Sequence, residues 1–111
     1  MTSPSTLANN ASRALPSAAF ERHRQAIRDI VARHKGVNPR VFGSVARGED
    51  TPASDLDLLV DHRPGGVMSL LDLSAAHAEL EDLLGVPVQV MTRASLAPKI
   101  LARVELEAVA V

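Results

Sequence analysis

The chain has 111 residues, a formal net charge of −1, 46% apolar residues, no Cys, Trp or Tyr, and two Phe. That length suits one domain. The absence of Cys excludes disulfides, thiol nucleophiles and cysteine zinc sites and suits a reducing cytoplasm, while the scarcity of aromatic residues argues against a base-stacking platform for single-stranded nucleic acid.

No apolar run approaches the roughly 20 residues that span a membrane, and the near-neutral charge makes unaided nonspecific nucleic-acid binding a poor fit. The charge is uneven, however. Residues 1–48 hold eight Lys/Arg against Glu21 and Asp29, and the remainder is acidic. The plainer reading is one solvated basic helix; the sharper one is a docking face for an acidic partner or a phosphate-bearing ligand.

Residues 1–16 are rich in Ser, Thr, Ala and Asn and end at Pro16. They lack the basic start and apolar core of a secretory signal and read as a flexible arm. Ser17 is placed to cap a helix running to Lys35, with Gly36 as its stop and Phe20, Ile27, Ile30 and Val31 on one face. After Asn38-Pro39, a short strand over Arg40–Phe42 runs into Gly43. Ser44–Gly48 reads as a turn or two of helix, and residues 49–53 as a loop. Asp55–Val60 sorts with period two: Leu56, Leu58 and Val60 to one side, Asp55, Asp57 and Leu59 to the other. Pro64-Gly65-Gly66 marks a loop. Ser69 with Asp72 is a capping-box variant that opens a helix burying Leu70, Leu73, Leu80 and Leu84 and ending at Gly85. Val86–Met91 is a strand. Ser95 is placed to cap a last helix with Ile100, Leu101, Val104 and Ala108 inward. The order αβ(α)βαβα, without internal repeat, predicts an α/β (α+β) domain over residues 17–111, a small mixed sheet with helices packed on it.

Chemistry concentrates between Gly43 and Val60. Asp55 and Asp57 leave their strand on one face, about 6.5 Å apart along the backbone. Two like charges that close raise a carboxyl pKa and cost stability. A Mg²⁺ ion, which takes one or two carboxylates together with substrate phosphates, would resolve the repulsion. A lone Asp-x-Asp is usually just a polar strand face. Ten residues separate Asp55, however, from a preceding Gly43-Ser44. The glycine allows a tight strand-to-helix turn. The amides from Ser44 onward, the Ser44 hydroxyl and Arg47 one turn later could all meet phosphate. A Walker-type phosphate loop and a Gly-x-Gly-x-x-Gly fingerprint are both absent.

Gly43-Ser44, ten residues, then Asp55-x-Asp57, within the string FGSVARGE…SDLDLLVD, resembles the signature of polymerase-β-like nucleotidyltransferases, and together with the short length it resembles the minimal nucleotidyltransferases. The likeness covers about residues 20–110. It implies that fold, Mg²⁺ held by Asp55 and Asp57, ATP held at Gly43, Ser44 and Arg47, and transfer of AMP with pyrophosphate leaving. Many members of that family are antitoxins paired with a helical HEPN ribonuclease toxin, which they are thought to silence by placing AMP on a toxin tyrosine. This chain has no tyrosine to modify, and its length leaves no room for a separate acceptor domain. The resemblance therefore implies a partner protein that brings the acceptor, in a cytoplasmic hetero-oligomer, with no membrane or direct nucleic-acid role.

The match fails at one position. Relatives carry a third carboxylate on the later strand, in a Val-Asp-Leu/Val setting, where this chain has Val88-Gln89-Val90. Gln89 keeps a carbonyl oxygen but has no charge and cannot act as a base. A catalytically attenuated antitoxin that works by binding is the alternative that this opens. Asp61 shares the parity of Asp55 and Asp57 but lies four residues beyond Asp57, which suits a strand-end residue better than a shared ligand. His62 beside it reads as a loop residue, and His23, His34 and His77 show no ligand spacing. Glu49 and Asp50 are loop charges before the Asp pair.

Overall fold

The computed structural model describes residues 15–111; of the expected arm, residues 1–14 lie outside that range. The elements are α1 (Pro16–Arg22), α2 (Arg24–Arg33), β1 (Gly36–Phe42), α3 (Gly43–Arg47), β2 (Leu56–His62), α4 (Leu70–Leu84), β3 (Val88–Thr92), a 3-10 turn (Arg93–Ser95), α5 (Pro98–Glu107) and β4 (Val109–Ala110). The strands form one mixed sheet in the order β3-β2-β1-β4. β1 is antiparallel to β2 and β4, whereas β2 and β3 run parallel through the α4 crossover. No helix among the described residues is long and apolar enough to cross a membrane.

One face of the sheet carries the main core. Leu56, Leu58 and Val60 of β2 and Val41 of β1 meet Ile27, Ile30 and Val31 of α2 and Ala76, Leu80 and Leu84 of α4. The period-two sorting of β2 therefore holds on that side. Leu59, on the other side with Asp57, is also fully buried. It and Val104 of α5 lie outside the main cluster. The second face is apolar at its centre and acidic toward the ends of β2.

The Ser69–Asp72 capping box is present, with Asp72 N–H donating to Ser69 Oγ at 3.1 Å and Ser69 N–H donating to Asp72 Oδ2 at 2.8 Å. Gly85 ends α4 in the left-handed conformation. Leu70, expected inside, is 79% exposed. It is the first residue of α4, ahead of the buried positions Ala76, Leu80 and Leu84.

Local boundaries differ where tertiary contacts intervene. The single helix expected over residues 17–35 is broken at His23 into α1 and α2. Pro16 is the first residue of α1, and Ser17 does not cap it; the Ser17 amide instead donates to Asp50 Oδ2 at 2.9 Å. Lys35, at φ 71°, follows the end of α2 in place of Gly36. Gly36 already belongs to β1, where a β-carbon would press on Val31. Asn38-Pro39 is a bulge inside β1, with Asn38 at φ 54° and a register shift between Val37 and Arg40, which accommodates a proline without a ladder donor. Ser95 belongs to the 3-10 turn, where Thr92 N–H donates to its Oγ, and α5 starts at Pro98 with Ile100 exposed. The final strand β4 was not expected.

Candidate active site

Phe42, the last residue of β1, pairs with Asp57 of β2. That register brings Asp57 beside the turn opened by Gly43, which adopts φ 72°. A β-carbon at Gly43 would collide with Asp57 Oδ2. Glycine is thus required twice, for its left-handed backbone and for the close approach. The structure brings Gly43, Ser44, Arg47, Asp55 and Asp57 to one end of the sheet.

Asp57 also pairs with Gln89 across the parallel β2–β3 ladder. Gln89 Nε2 donates to Asp55 Oδ2 at 3.3 Å. The amide that stands in place of the expected third carboxylate therefore touches the acid pair. Burial first, and then the Asp55 charge, push the Asp57 carboxyl above its usual range; Arg47 opposes this and Glu107 adds to it. The pair is under-neutralised. The two carboxylates are an oxygen-only pair that fits a hard divalent cation completed by water and phosphate, and the Gln89 amide meets them with its nitrogen. Among the described residues no group of three or more His, Cys, Asp or Glu is placed to hold a metal.

Glu107, at the end of α5, escaped sequence reasoning. Gly43 N–H donates to its Oε2 at 2.7 Å, and Arg47 Nη1 donates to Oε1 and Oε2 at 3.0 and 3.3 Å. Burial alone would raise the Glu107 pKa, but the Gly43 amide and Arg47 outweigh it and hold the carboxyl below its usual range. Arg47 Nε also donates to Glu49 Oε1 at 2.9 Å. Arg47 therefore enters the site already engaged by two carboxylates.

The nucleotidyltransferase domain family matches residues 22–111. The chain belongs to that family. Two proteins of Methanocaldococcus jannaschii, both described as candidate protein adenylyltransferases, are relatives. One is 41% identical over 80 residues, covering 72% of this chain and 84% of the relative. The other is 35% identical over 78 residues, covering 63% and 78%. A solved structure described as a candidate minimal nucleotidyltransferase superposes with a TM-score of 0.76 at 42% identity, covering 88% of this chain and 97% of its own. A crystal structure of a toxin–antitoxin with AMP-PNP superposes at 0.67 with 17% identity, covering 78% and 69%; that likeness speaks for the fold alone. The α/β nucleotidyltransferase fold implied by the motif is the fold observed.

Within this nucleotidyltransferase, Asp61 is separate from the acid pair. It accepts from Arg40 Nη2 at 2.9 Å, Arg93 Nε at 3.1 Å and Asn38 Nδ2 at 3.1 Å. Burial works against its ionisation, but Asn38, Arg93 and Arg40 outweigh burial and lower its pKa. It ties β1, β2 and the 3-10 turn together. Arg93 also pairs with Glu105 of α5. His34 meets Glu79 at 2.5 Å and His77 meets Glu81 at 3.2 Å, both away from the acid pair. His62 bonds the Arg63 carbonyl at 3.0 Å. Nothing in the local sequence marks Glu107: it sits 64 residues from Gly43 in an ordinary helical run.

Proposed function

We propose that the chain is a Mg²⁺-dependent adenylyltransferase that moves AMP from ATP to a partner protein, as the antitoxin of a HEPN-type toxin. The observation that carries this reading is the contact between Asp57 and the Gly43 turn, which sets an under-neutralised acid pair beside the start of α3. The relatives described as protein adenylyltransferases support the reaction class. The toxin–antitoxin of like fold, with its AMP-PNP, motivates the partner and the nucleotide.

In this reading Asp55 and Asp57 would hold the ion, which when bound supplies charge neutralisation across the triphosphate. The Ser44 hydroxyl and amide bind phosphate oxygen, and Arg47 offsets its charge. Positioning and charge stabilisation make up most of the catalysis in phosphoryl chemistry. Gln89 cannot take the proton of an attacking hydroxyl. In this reading the partner supplies the group that accepts it.

The Gln89–Asp55 hydrogen bond favours a second reading, an attenuated transferase that neutralises its partner by docking. One experiment separates the two: purified chain, labelled ATP, Mg²⁺ and the product of the neighbouring gene. Label on the partner that disappears with Asp55→Ala supports transfer. No label, with Asp55→Ala neutralising the toxin as well as wild type does, supports docking.

A further inference from the structure

Glu107 lies outside every motif that marks this site, yet its carboxylate reaches two of the elements that define it. One oxygen receives the Gly43 amide at 2.7 Å, and both receive Arg47 Nη1 at 3.0 and 3.3 Å. Its side chain is only 21% exposed. Gly43 is consequently held from two sides. The Asp57 carboxylate occupies the space its β-carbon would need, and Glu107 grips its amide.

A plain anchoring role for the C-terminal segment is the simpler explanation, but that segment has other anchors. β4 pairs with Arg40 and Val41 of β1. Val111 N–H donates to the Pro39 carbonyl at 3.1 Å, and Arg28 Nη1 donates to the Val111 carbonyl at 2.8 Å. None of these contacts needs Glu107. What Glu107 adds is a side-chain link between the strand-to-helix turn and the arginine one turn beyond it.

Resting on the adenylyltransferase reading above, we propose that Glu107 is a positioning residue for the nucleotide, fixing the Gly43–Ser44 turn against Asp57 and aiming Arg47 across it. A charge-assisted bond to a backbone amide is short and directional. Donors held in place before the substrate arrives lose less on binding than donors that must be ordered by it. α5 and its terminal carboxylate thus complete a site whose other parts lie between Gly43 and Asp57.

The test uses the full chain with Glu107→Gln, Glu107→Ala and, as control, Leu106→Ala, whose side chain is 89% exposed. The dissociation constant for ATP with excess Mg²⁺ is measured by calorimetry, and the Gly43 amide resonance is followed by NMR. Glu107→Gln keeps the shape and one acceptor oxygen, so it guards against simple failure to fold. Expected are a weakening of about tenfold for Glu107→Ala and less for Glu107→Gln, as for groups that orient a ligand's direct contacts, an upfield move of the Gly43 amide in both, and no change in Leu106→Ala. If wild type binds MgATP and both Glu107 variants bind it equally well, Glu107 is only an anchor and the inference is overturned. Tighter binding by the variants overturns it differently, making Glu107 a competitor of phosphate. If wild type itself binds no MgATP, the adenylyltransferase reading falls first and takes this one with it.

Discussion

Replacing Asp57 by Asn should stabilise the metal-free protein while removing its transfer activity. Asp57 is pushed toward protonation by burial and then by Asp55, with Arg47 the one charge that offsets them. The two acids stand two residues apart, about 6.5 Å along the backbone. Coulomb's law gives a repulsion of about 0.6 kcal/mol in bulk water and about 2.6 kcal/mol at an effective dielectric near 20. Both residues are partly exposed, so screening favours the lower part of that range, about 1 kcal/mol. A domain of this size would respond with a Tm rise of about 4–8 °C. The assay is urea unfolding of both proteins in EDTA at pH 7. The effect carries a pH signature. A carboxyl whose folded pKa is raised contributes stability below its unfolded value of about 3.9, and that contribution is lost as pH rises through the folded value. The advantage of the variant should therefore be present at neutral pH and vanish in acid. Added Mg²⁺ should stabilise wild type and leave Asp57→Asn unmoved. A variant less stable than wild type in EDTA at pH 7 would refute the idea that the acid pair is under-neutralised.

Three further outcomes follow from the same geometry. Gly43→Ala forces a β-carbon onto Asp57 Oδ2 at a φ of 72°; it should cost about 1–3 kcal/mol in urea unfolding and abolish MgATP binding in a thermal-shift titration. Asp61→Ala strips Arg40 of its carboxylate partner and should cost about 1–3 kcal/mol at pH 7. Because the folded pKa of Asp61 is lowered, that contribution is present above the unfolded pKa and lost as pH falls through the folded one, so the gap to wild type should close in acid; the labelling rate of folded protein should hold. Gln89→Asp places a third carboxylate opposite Asp57 and removes the donor to Asp55. It should lower metal-free stability by about 1 kcal/mol and tighten Mg²⁺ binding, and a fall in affinity by calorimetry would count against the assignment of the pair.

The sequence alone determined the parts of this protein that obey short-range rules. Asp57 leaves β2 on the face opposite Leu56 and Leu58 because strand side chains alternate, although the strand starts at Leu56 and leaves Asp55 just before it, and the Ser69–Asp72 box and Gly85 bound α4 because capping is settled within four residues. Gly43 was legible as a turn because few residues suit that backbone. Other features were decided by contacts between residues far apart in the chain. Lys35 rather than Gly36 takes the left-handed position, because Gly36 has to lie flat on Val31. Leu59, grouped by alternation with the acids, is buried all the same. Glu107 resembles any helical glutamate until β1, α3 and α5 converge and set it between the Gly43 amide and Arg47. Local patterns encode which way a side chain points from its own element; what it meets there depends on how the elements pack, and no window of neighbouring residues carries that information.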